Sequence, residues 1–255
     1  MKKLTRKTFI HTTSLALAGT LIEGGIPSGS DTPKIKAIAF DAFAIFDPRP
    51  IFKAVEELFP DKAKQLVQVW QYKQFSYQWL RLVGRKYKNF WDITREALDA
   101  TFSQFEIINK EKEKDSILAK YDAINVWPDV IPALQEIKKE NIRVCFLSNM
   151  TTKMLNRGIE NAGLKEYFDS VISTDERQTY KPSPMAYQMA VETLKLRMEE
   201  ILYVPFAGWD MAGGKWFGYP TFWLNRLNAS SDKLDAAPDG QGSTLNDVSE
   251  FCKKM

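Results

Sequence analysis

Short apolar runs alternate with amphipathic segments along most of the chain. The run from Ile35 to Phe40, bounded by Pro33 and Pro48, predicts a first strand. Further apolar runs predict strands at residues 144–147, 171–173, 201–204 and 221–224. Helical periodicity predicts the helices between them at residues 130–139, 152–162 and 184–196. Because strands that alternate with helices are typical of a parallel sheet, we expect an α/β fold with a Rossmann-like core.

The segment between the first two strands has a different pattern. From residue 51 to about residue 125, apolar residues recur at three- and four-residue steps, as at Leu66, Val67 and Trp70. This spacing predicts a helical insertion, long enough to cap the crevice at the strand ends. The predicted domains are a core at residues 34–48 and 127–228, a helical cap at 49–126, and a polar, loop-like tail at 229–255 that contains at most a final helix.

The first thirty residues resemble an export signal followed by a linker. A basic stretch that ends at Lys7 precedes a mildly apolar run from Phe9 to Ile22. The segment from Thr5 to Ile10 resembles a twin-arginine signal with lysine in place of the second arginine. We therefore expect an exported, periplasmic protein, or a cytoplasmic one if the leader is not processed. A disordered N-terminal arm is the alternative.

Charge and composition limit the function classes. The leader carries four basic residues and one acidic residue, which account for the formal net charge of +3, so the rest of the chain is balanced. Equal numbers of basic and acidic residues outside the leader argue against a nucleic-acid-binding protein. The single histidine, His11, lies in the leader, which excludes Ser-His-Asp catalysis and histidine-ligated metal sites in the body. Cys145 and Cys252 have no disulfide or metal-ligand spacing.

Polar residues follow several of the predicted strands. Asp41 follows the first, Ser148 and Asn149 follow the second, Lys181 comes after the third, and Asp210 comes after the fourth. Parallel strands end at one edge of a sheet, so these side chains should meet in one crevice. An aspartate there is a candidate carboxylate nucleophile. The alternatives are a turn or helix cap for Asp41, Ser148 and Asp210, and a surface position for Lys181.

These residues also stand within longer motifs. The chain resembles the haloacid dehalogenase superfamily, and more closely its (S)-2-haloacid dehalogenase branch, over roughly residues 35–226. The motifs that carry the resemblance are Phe40-Asp-Ala-Phe43, Gln74-Phe-Ser-Tyr-Gln-Trp-Leu80, Asn89-Phe90, Leu147-Ser-Asn149, Tyr180-Lys-Pro182 with Tyr187, Gly208-Trp-Asp210, and Trp216-Phe-Gly-Tyr-Pro-Thr221.

The resemblance implies a Rossmann-like core with a helical cap and an aspartate that displaces halide from carbon. Asp41 would be the nucleophile, and water would hydrolyse the ester that forms on it. Lys181 would keep Asp41 ionised and oriented, and Asp210 would position or activate the water. A carboxylate needs no base to act as a nucleophile, so the missing histidine is no obstacle.

The resemblance also implies the substrate contacts. Ser148 and neighbouring backbone amides would hold a substrate carboxylate, while Asn149 and Phe90 would help to cradle the halide. Gln71, Tyr187 and Trp209 are further candidate substrate-binding residues. We expect no cofactor and no metal. The expected partner is a small carboxylate; exposed aromatic residues in the cap would suit a homodimer, but they suit a core equally.

One position separates a dehalogenase from the superfamily's phosphatases. Those phosphatases carry Asp-x-Asp, in which the second aspartate protonates the leaving group, whereas this chain has Phe43 two residues after Asp41. Phosphoryl transfer to an alcohol would therefore lack its proton donor. The same change removes an oxygen ligand that magnesium would use.

Three positions depart from the dehalogenase pattern. Ala44-Ile45 replaces Gly-Thr, Gln71 stands where a cap arginine is expected, and Phe206-Ala207 replaces a polar pair. Gln71 donates hydrogen bonds but contributes no charge; the cations that could compensate are Arg49, Lys73 and Arg81. Two alternatives to a dehalogenase stay open: a hydrolase of the same fold with another substrate, including a phosphatase, and an exported binding protein that has lost turnover.

Overall fold

Strands and helices alternate through residues 34–255, the part of the chain that this computed structural model describes. The strands are β1 (Ala37–Phe40), β2 (Phe46–Asp47), β3 (Asn125–Val126), β4 (Arg143–Ser148), β5 (Ser170–Ser173), β6 (Ile201–Val204), β7 (Phe222–Leu224) and β8 (Gly240–Gly242). The helices are α1 (Ala42–Ile45), α2 (Arg49–Leu58), α3 (Ala63–Val83), α4 (Phe90–Gln104), α5 (Glu111–Asp122), α6 (Val130–Lys139), α7 (Thr152–Asn161), α8 (Pro184–Leu194), α9 (Gly208–Phe217) and α10 (Leu245–Cys252).

A parallel sheet of four strands in the order β5-β4-β1-β6 forms the core. Its central strand, β1, pairs Ala37 with Arg143 on β4 and with Ile201 on β6. All four residues of β1 are fully buried, because helices cover both faces of such a sheet. The sheet confirms the predicted α/β fold and sets the ends of β1, β4, β5 and β6 along one edge.

Helices α2 to α5 fill the segment predicted as a helical insertion. Strands β2 and β3, at the two ends of this segment, pair antiparallel, with Phe46 opposite Val126 and Asp47 opposite Asn125. The long helix α3 buries Leu66, Trp70 and Gln74. These buried positions, spaced at three to four residues, form the face of α3 that packs inward.

The segment after residue 228 is more ordered than the sequence predicts. Strand β8 pairs in parallel with β7, and α10 buries Leu245 and Val248 in the main core. The expected final helix is present, capped at its start by Thr244 and Asp247. The sequence Gly-Gln-Gly of β8 has no strand propensity, and this explains why the prediction of a polar tail missed the strand.

The predicted export signal lies outside the described residues. Within residues 34–255, no helix has both the length and the apolar character needed to cross a membrane. Cys145, on β4, is fully buried.

Candidate active site

Asp41 lies directly after β1 and begins the short helix α1. Its Oδ2 accepts a hydrogen bond from the backbone N–H of Phe43 at 3.1 Å, so the turn-capping alternative describes part of its role. The indole of Trp127 donates to the carbonyl of Phe43 at 3.0 Å, and Arg226 Nε donates to the carbonyl of Ala44 at 2.8 Å. The backbone that carries Asp41 is therefore held from both sides.

Lys181 joins the two carboxylates of the site. Its Nζ lies 2.7 Å from Asp41 Oδ1 and 2.7 Å from Asp210 Oδ2, and it also contacts the carbonyl of Leu147 at 3.1 Å. The side chain is only 1% exposed. Burial by itself lowers the pKa of Lys181, but the two carboxylates outweigh burial and raise it above the ordinary value. The ammonium therefore stays charged, and the surface alternative is wrong.

Asp210 lies in the first turn of α9, whose N-cap is Ala207. Its Oδ1 accepts from the hydroxyl of Tyr187 at 2.8 Å, and its Oδ2 accepts from the hydroxyl of Tyr203 at 2.6 Å. Burial raises the pKa of Asp210, while Lys181 acts in the opposite direction. With two tyrosines and one lysine as donors, Asp210 is oriented and keeps one lone pair of Oδ1 free for a water.

Two tyrosines differ from the sequence-based prediction. Tyr187 is fully buried and is absent from the cavity wall, so its predicted substrate contact is wrong; it orients Asp210 instead. Tyr203, a residue that the sequence did not single out, shares Asp210 with Lys181 and lies 2.8 Å from Lys181 Nζ. Burial raises the pKa of both phenols well above the ordinary value, so both remain protonated donors.

A cavity of about 110 Å³ lies where the cap covers the strand ends, smaller than the roughly 300–1,000 Å³ of a drug-sized site. The three charged residues that line it are Asp41, Lys181 and Asp210. The remaining lining residues are neutral and mostly apolar: Phe43, Pro48, Phe52, Trp70, Gln71, Gln74, Phe75, Phe90, Tyr121, Ser148, Asn149, Met150, Phe206, Ala207, Trp209 and Leu227. Such a site suits a small molecule with an apolar body.

Ser148 and Asn149 form part of the floor at the end of β4. Ser148 Oγ accepts from the backbone N–H of Met150 at 3.1 Å, so its own proton is free for a ligand. Asn149 Oδ1 accepts from the backbone N–H of Lys181 at 2.9 Å, and its Nδ2 donates to Gln78 of the cap at 3.0 Å. Only one amide proton of Asn149 remains for a ligand.

Gln71, Phe90 and Trp209, which are candidate substrate-binding residues, all line the cavity. The ring of Trp209 packs edge-to-face on Phe75 and Trp79 of α3, each with centroids 5.5 Å apart. This aromatic cluster joins the core to the cap and excludes water from one side of the cavity.

None of the cations proposed to replace the missing arginine lines the cavity. Arg49 binds Asp47 through two hydrogen bonds from Nε and one from the guanidinium end, and Arg81 pairs with Glu96. Lys73 is likewise absent from the cavity wall. Within residues 34–255, Lys181 is the only cation there, and it is shared between two carboxylates.

The apolar residues that depart from the dehalogenase pattern occupy different positions around the site. Phe206 packs on Phe43 with ring centroids 6.0 Å apart and on Trp127 at 6.5 Å. Ile45 is fully buried and takes no part in the cavity wall. The side of the cavity next to Asp41 is therefore aromatic rather than polar.

Comparison with known proteins gives a consistent result. The family model for haloacid dehalogenase-like hydrolases matches residues 4–218. Haloacetate dehalogenase H-2 from Moraxella sp. (strain B) is 33% identical over 207 residues, which cover 81% of this chain and 92% of that protein. The (S)-2-haloacid dehalogenase of Xanthobacter autotrophicus is 34% identical over 195 residues, or 76% of each chain.

A solved structure is similar in fold. The L-2-haloacid dehalogenase from Xanthobacter autotrophicus with chloropropionic acid covalently bound has a TM-score of 0.79 and 29% identity, and the match covers 87% of this chain and 99% of that chain. The fold, the strand-end aspartates and these matches agree: the chain belongs to the haloacid dehalogenase-like hydrolases, in the branch of the (S)-2-haloacid dehalogenases.

Proposed function

We propose that the protein hydrolyses the carbon–halogen bond of a short 2-haloalkanoic acid through an ester on Asp41. The observation that carries this proposal is the arrangement of Asp41, Lys181 and Asp210 at the floor of a small aromatic cavity. The site supplies an ionised nucleophile, a fixed cation beside it and a second carboxylate, with little water. These are the requirements for displacement followed by hydrolysis.

In the first step, an oxygen of Asp41 attacks C2 of the substrate. A C–O bond forms, the carbon–halogen bond breaks, and its electron pair leaves with the halide. Lys181 Nζ, 2.7 Å from Oδ1, and the N–H of Phe43, 3.1 Å from Oδ2, hold the carboxylate in one orientation. Fixed orientation is a large part of the rate advantage of a bound nucleophile. In-line attack inverts the configuration at C2.

In the second step, water attacks the carbonyl carbon of the ester. Asp210 accepts a proton from this water through the free lone pair of Oδ1, and burial has raised its pKa, so it is a stronger base than an exposed aspartate. The tetrahedral intermediate then collapses, and Asp210 returns the proton to the departing alkoxide oxygen. The 2-hydroxy acid leaves, and Asp41 is regenerated as a carboxylate when the carboxyl group loses its remaining proton. Overall, one haloacid and one water are converted to one hydroxy acid, one halide ion and one proton.

The substrate carboxylate is held by neutral donors. Ser148 has a free hydroxyl proton for that carboxylate, and the one free amide proton of its neighbour Asn149 is left for the halide. Phe43 stands where a phosphatase would carry its second aspartate and packs on Phe206, so no carboxylic acid at that position can protonate the alcohol that leaves a phosphate ester. The arrangement favours halide, which departs without a proton.

Halide release from short 2-chloro and 2-bromo acids tests this proposal. Asp41→Asn should lower turnover by about 10⁴-fold or more, because a covalent nucleophile is lost. Asp99→Asn, which alters an exposed carboxylate paired with Lys114, is the matched control and should retain full activity. Retention of more than a few per cent of activity by Asp41→Asn would reject Asp41 as nucleophile.

Isotope labelling separates the ester mechanism from direct attack by water. In a single turnover in H₂¹⁸O, ester hydrolysis leaves the label on the Asp41 carboxylate, whereas direct displacement leaves it on the hydroxy acid. Mass spectrometry of the peptide that contains Asp41 distinguishes the two. A native protein that binds 2-haloacids but releases no halide would favour a binding homologue.

We also propose that residues 1–30 direct export. The support is the basic stretch that precedes the apolar run from Phe9 to Ile22. Cell fractionation of the full chain, with N-terminal sequencing of the mature protein, tests it. An intact N-terminus and a cytoplasmic location would contradict export.

A homodimer is proposed on the exposed apolar residues of the cap. Tyr72, Leu80 and Val83 on α3 are 74%, 68% and 85% exposed, and contiguous apolar surface of this kind marks protein-contact sites. Light scattering should give twice the chain mass, and Leu80→Glu should reduce it to one. A native monomer would overturn this proposal.

A further inference from the structure

In the first step, the halide leaves C2 of the substrate on the side that faces the cap. In-line displacement expels the leaving group on the side of C2 that faces away from the nucleophile. Asp41 lies on the core side of the cavity, and the opposite wall comes from the cap residues Trp70, Gln74, Phe90 and Tyr121. Since no cation of the described chain lies on that wall, the halide needs another source of stabilisation.

The hydrogen bonds of this wall can be assigned proton by proton. Thr94 Oγ1 lies 2.7 Å from the carbonyl of Phe90, a contact between two oxygens that requires the threonine proton. Thr94 can then only accept from Gln74, whose Nε2 lies 2.5 Å away. The same Nε2 group faces the hydroxyl of Tyr121 at 3.4 Å, so Gln74 donates there as well. Both amide protons of Gln74 are thereby used.

Tyr121 has a proton left over. Its oxygen accepts from Gln74, and its own O–H has no acceptor among the described residues, although it belongs to the cavity wall. Edge-to-face contacts with Phe90 and Trp91, at centroid distances of 6.4 and 6.1 Å, hold the phenol ring in place. The side chain is 6% exposed, so the only space into which the free proton can point is the cavity.

We propose that the hydroxyl of Tyr121 donates a hydrogen bond to the departing halide, as a neutral donor added to the halide cradle that the resemblance assigns to Asn149 and Phe90. Tyr121 keeps its proton throughout, and the electron pair of the broken bond stays with the halide. The aromatic edges of Phe90 and Trp70 add partial positive charge around the same point. Burial raises the pKa of Tyr121 to about 12, so the donor is present at any working pH. This inference rests on the proposed dehalogenation for its role in turnover, but not for halide binding.

Bromide titration of the full chain, with Tyr121→Phe beside it, tests the halide site without turnover. Bromide quenches tryptophan fluorescence, and Trp70 and Trp209 line the cavity. We expect saturable quenching in the native protein and a dissociation constant about tenfold higher in Tyr121→Phe, near the lower end for a hydrogen bond to a charged group. Tyr77→Phe is the matched control, because Tyr77 is a partly buried cap tyrosine outside the cavity, and it should bind bromide as the native protein does.

Turnover gives a second readout that a structural role would not change. Chloride is the poorer leaving group, so Tyr121→Phe should slow 2-chloropropionate about tenfold and 2-bromopropionate less, which raises the bromide-to-chloride rate ratio. Unaltered bromide affinity, or an unaltered rate ratio in an active enzyme, would overturn the role of Tyr121. Absence of saturable bromide quenching in the native protein would overturn the halide site itself. Bromide binding that weakens as expected, with no halide released from any haloacid, would reject dehalogenation while leaving the halide site in place.

Discussion

Replacement of Gln71 by arginine tests how far the missing cation limits the enzyme. The three charged groups of the cavity, Asp41, Asp210 and Lys181, sum to one negative charge. A haloacid brings a second negative charge, and its halide develops more during displacement. Gln71 lies on the cavity wall, so Gln71→Arg places a positive charge inside the site rather than on the surface.

The size of the effect follows from the charge that moves. Two unit charges at ~5 Å interact by about 3 kcal/mol at an effective dielectric constant of about 20. If about half a charge has reached the halide at the transition state, the stabilisation is about 1.5 kcal/mol, or roughly tenfold in rate. Only the part of the interaction that strengthens between ground and transition state raises kcat. We therefore expect kcat for 2-chloropropionate to rise by about tenfold.

Steady-state chloride release from 2-chloropropionate measures this change. Gln68→Arg is the matched control, because Gln68 lies one turn away on α3 in an open surface groove outside the cavity, and it should leave kcat unchanged. An unaltered or reduced kcat for Gln71→Arg, in a protein whose native activity is robust, would refute the reasoning and show that neutral donors suffice. A rise in both variants would point to long-range steering instead.

Three further predictions concern the metal, the pH profile and the core. Activity should survive exhaustive chelation by EDTA, since Phe43 replaces a carboxylate ligand; loss restored by magnesium would contradict this. Tyr203→Phe removes a hydrogen bond that lowers the pKa of Asp210, so that pKa should rise further. Because hydrolysis needs ionised Asp210, activity should then be lost at a higher pH as the solution is acidified, and an unmoved acid limb would exclude Asp210 as the base. Gly158→Ala would place a Cβ 2.5 Å from the ring of Phe46, and urea denaturation should show a loss of about 1–3 kcal/mol; native stability would mean that the ring can move aside.

The sequence was sufficient for the four strands of the parallel sheet, although not for β2, β3 and β8, and for the residues that lie at strand ends. Asp41 and Ser148 could be placed because an apolar run marks where each strand stops, and topology then sets those ends along one edge. Lys181 and Asp210 were harder, since each follows its strand by several residues, and only their joint appearance with the others indicated a role.

The residues that orient the catalytic side chains could not be predicted from the sequence in the same way. Tyr203 lies inside β6, a strand that is buried on both faces, so no polar alternation distinguishes its side from that of Leu202. The contact between Asn149 and Gln78 joins residues 71 positions apart, and sequence spacing carries no information about such pairs. Tyr187 was assigned to the substrate by resemblance, and the sequence alone does not distinguish a position in front of Asp210 from one behind it.

The paired strands at the base of the cap have a consequence for the evolution of this chain. Since β2 and β3 are hydrogen-bonded neighbours, the chain leaves the core and returns to it at one point. The cap between these strands is therefore a loop whose ends are already joined. The entropic cost of closing such a loop grows only with the logarithm of its length. Insertions, deletions or a wholesale exchange of helices α2 to α5 would therefore leave the ends of β1 and β4 where they are. Changes to the cap would alter Trp70, Gln71 and Tyr121 together, while Asp41, Lys181 and Asp210 would keep the positions that the core gives them.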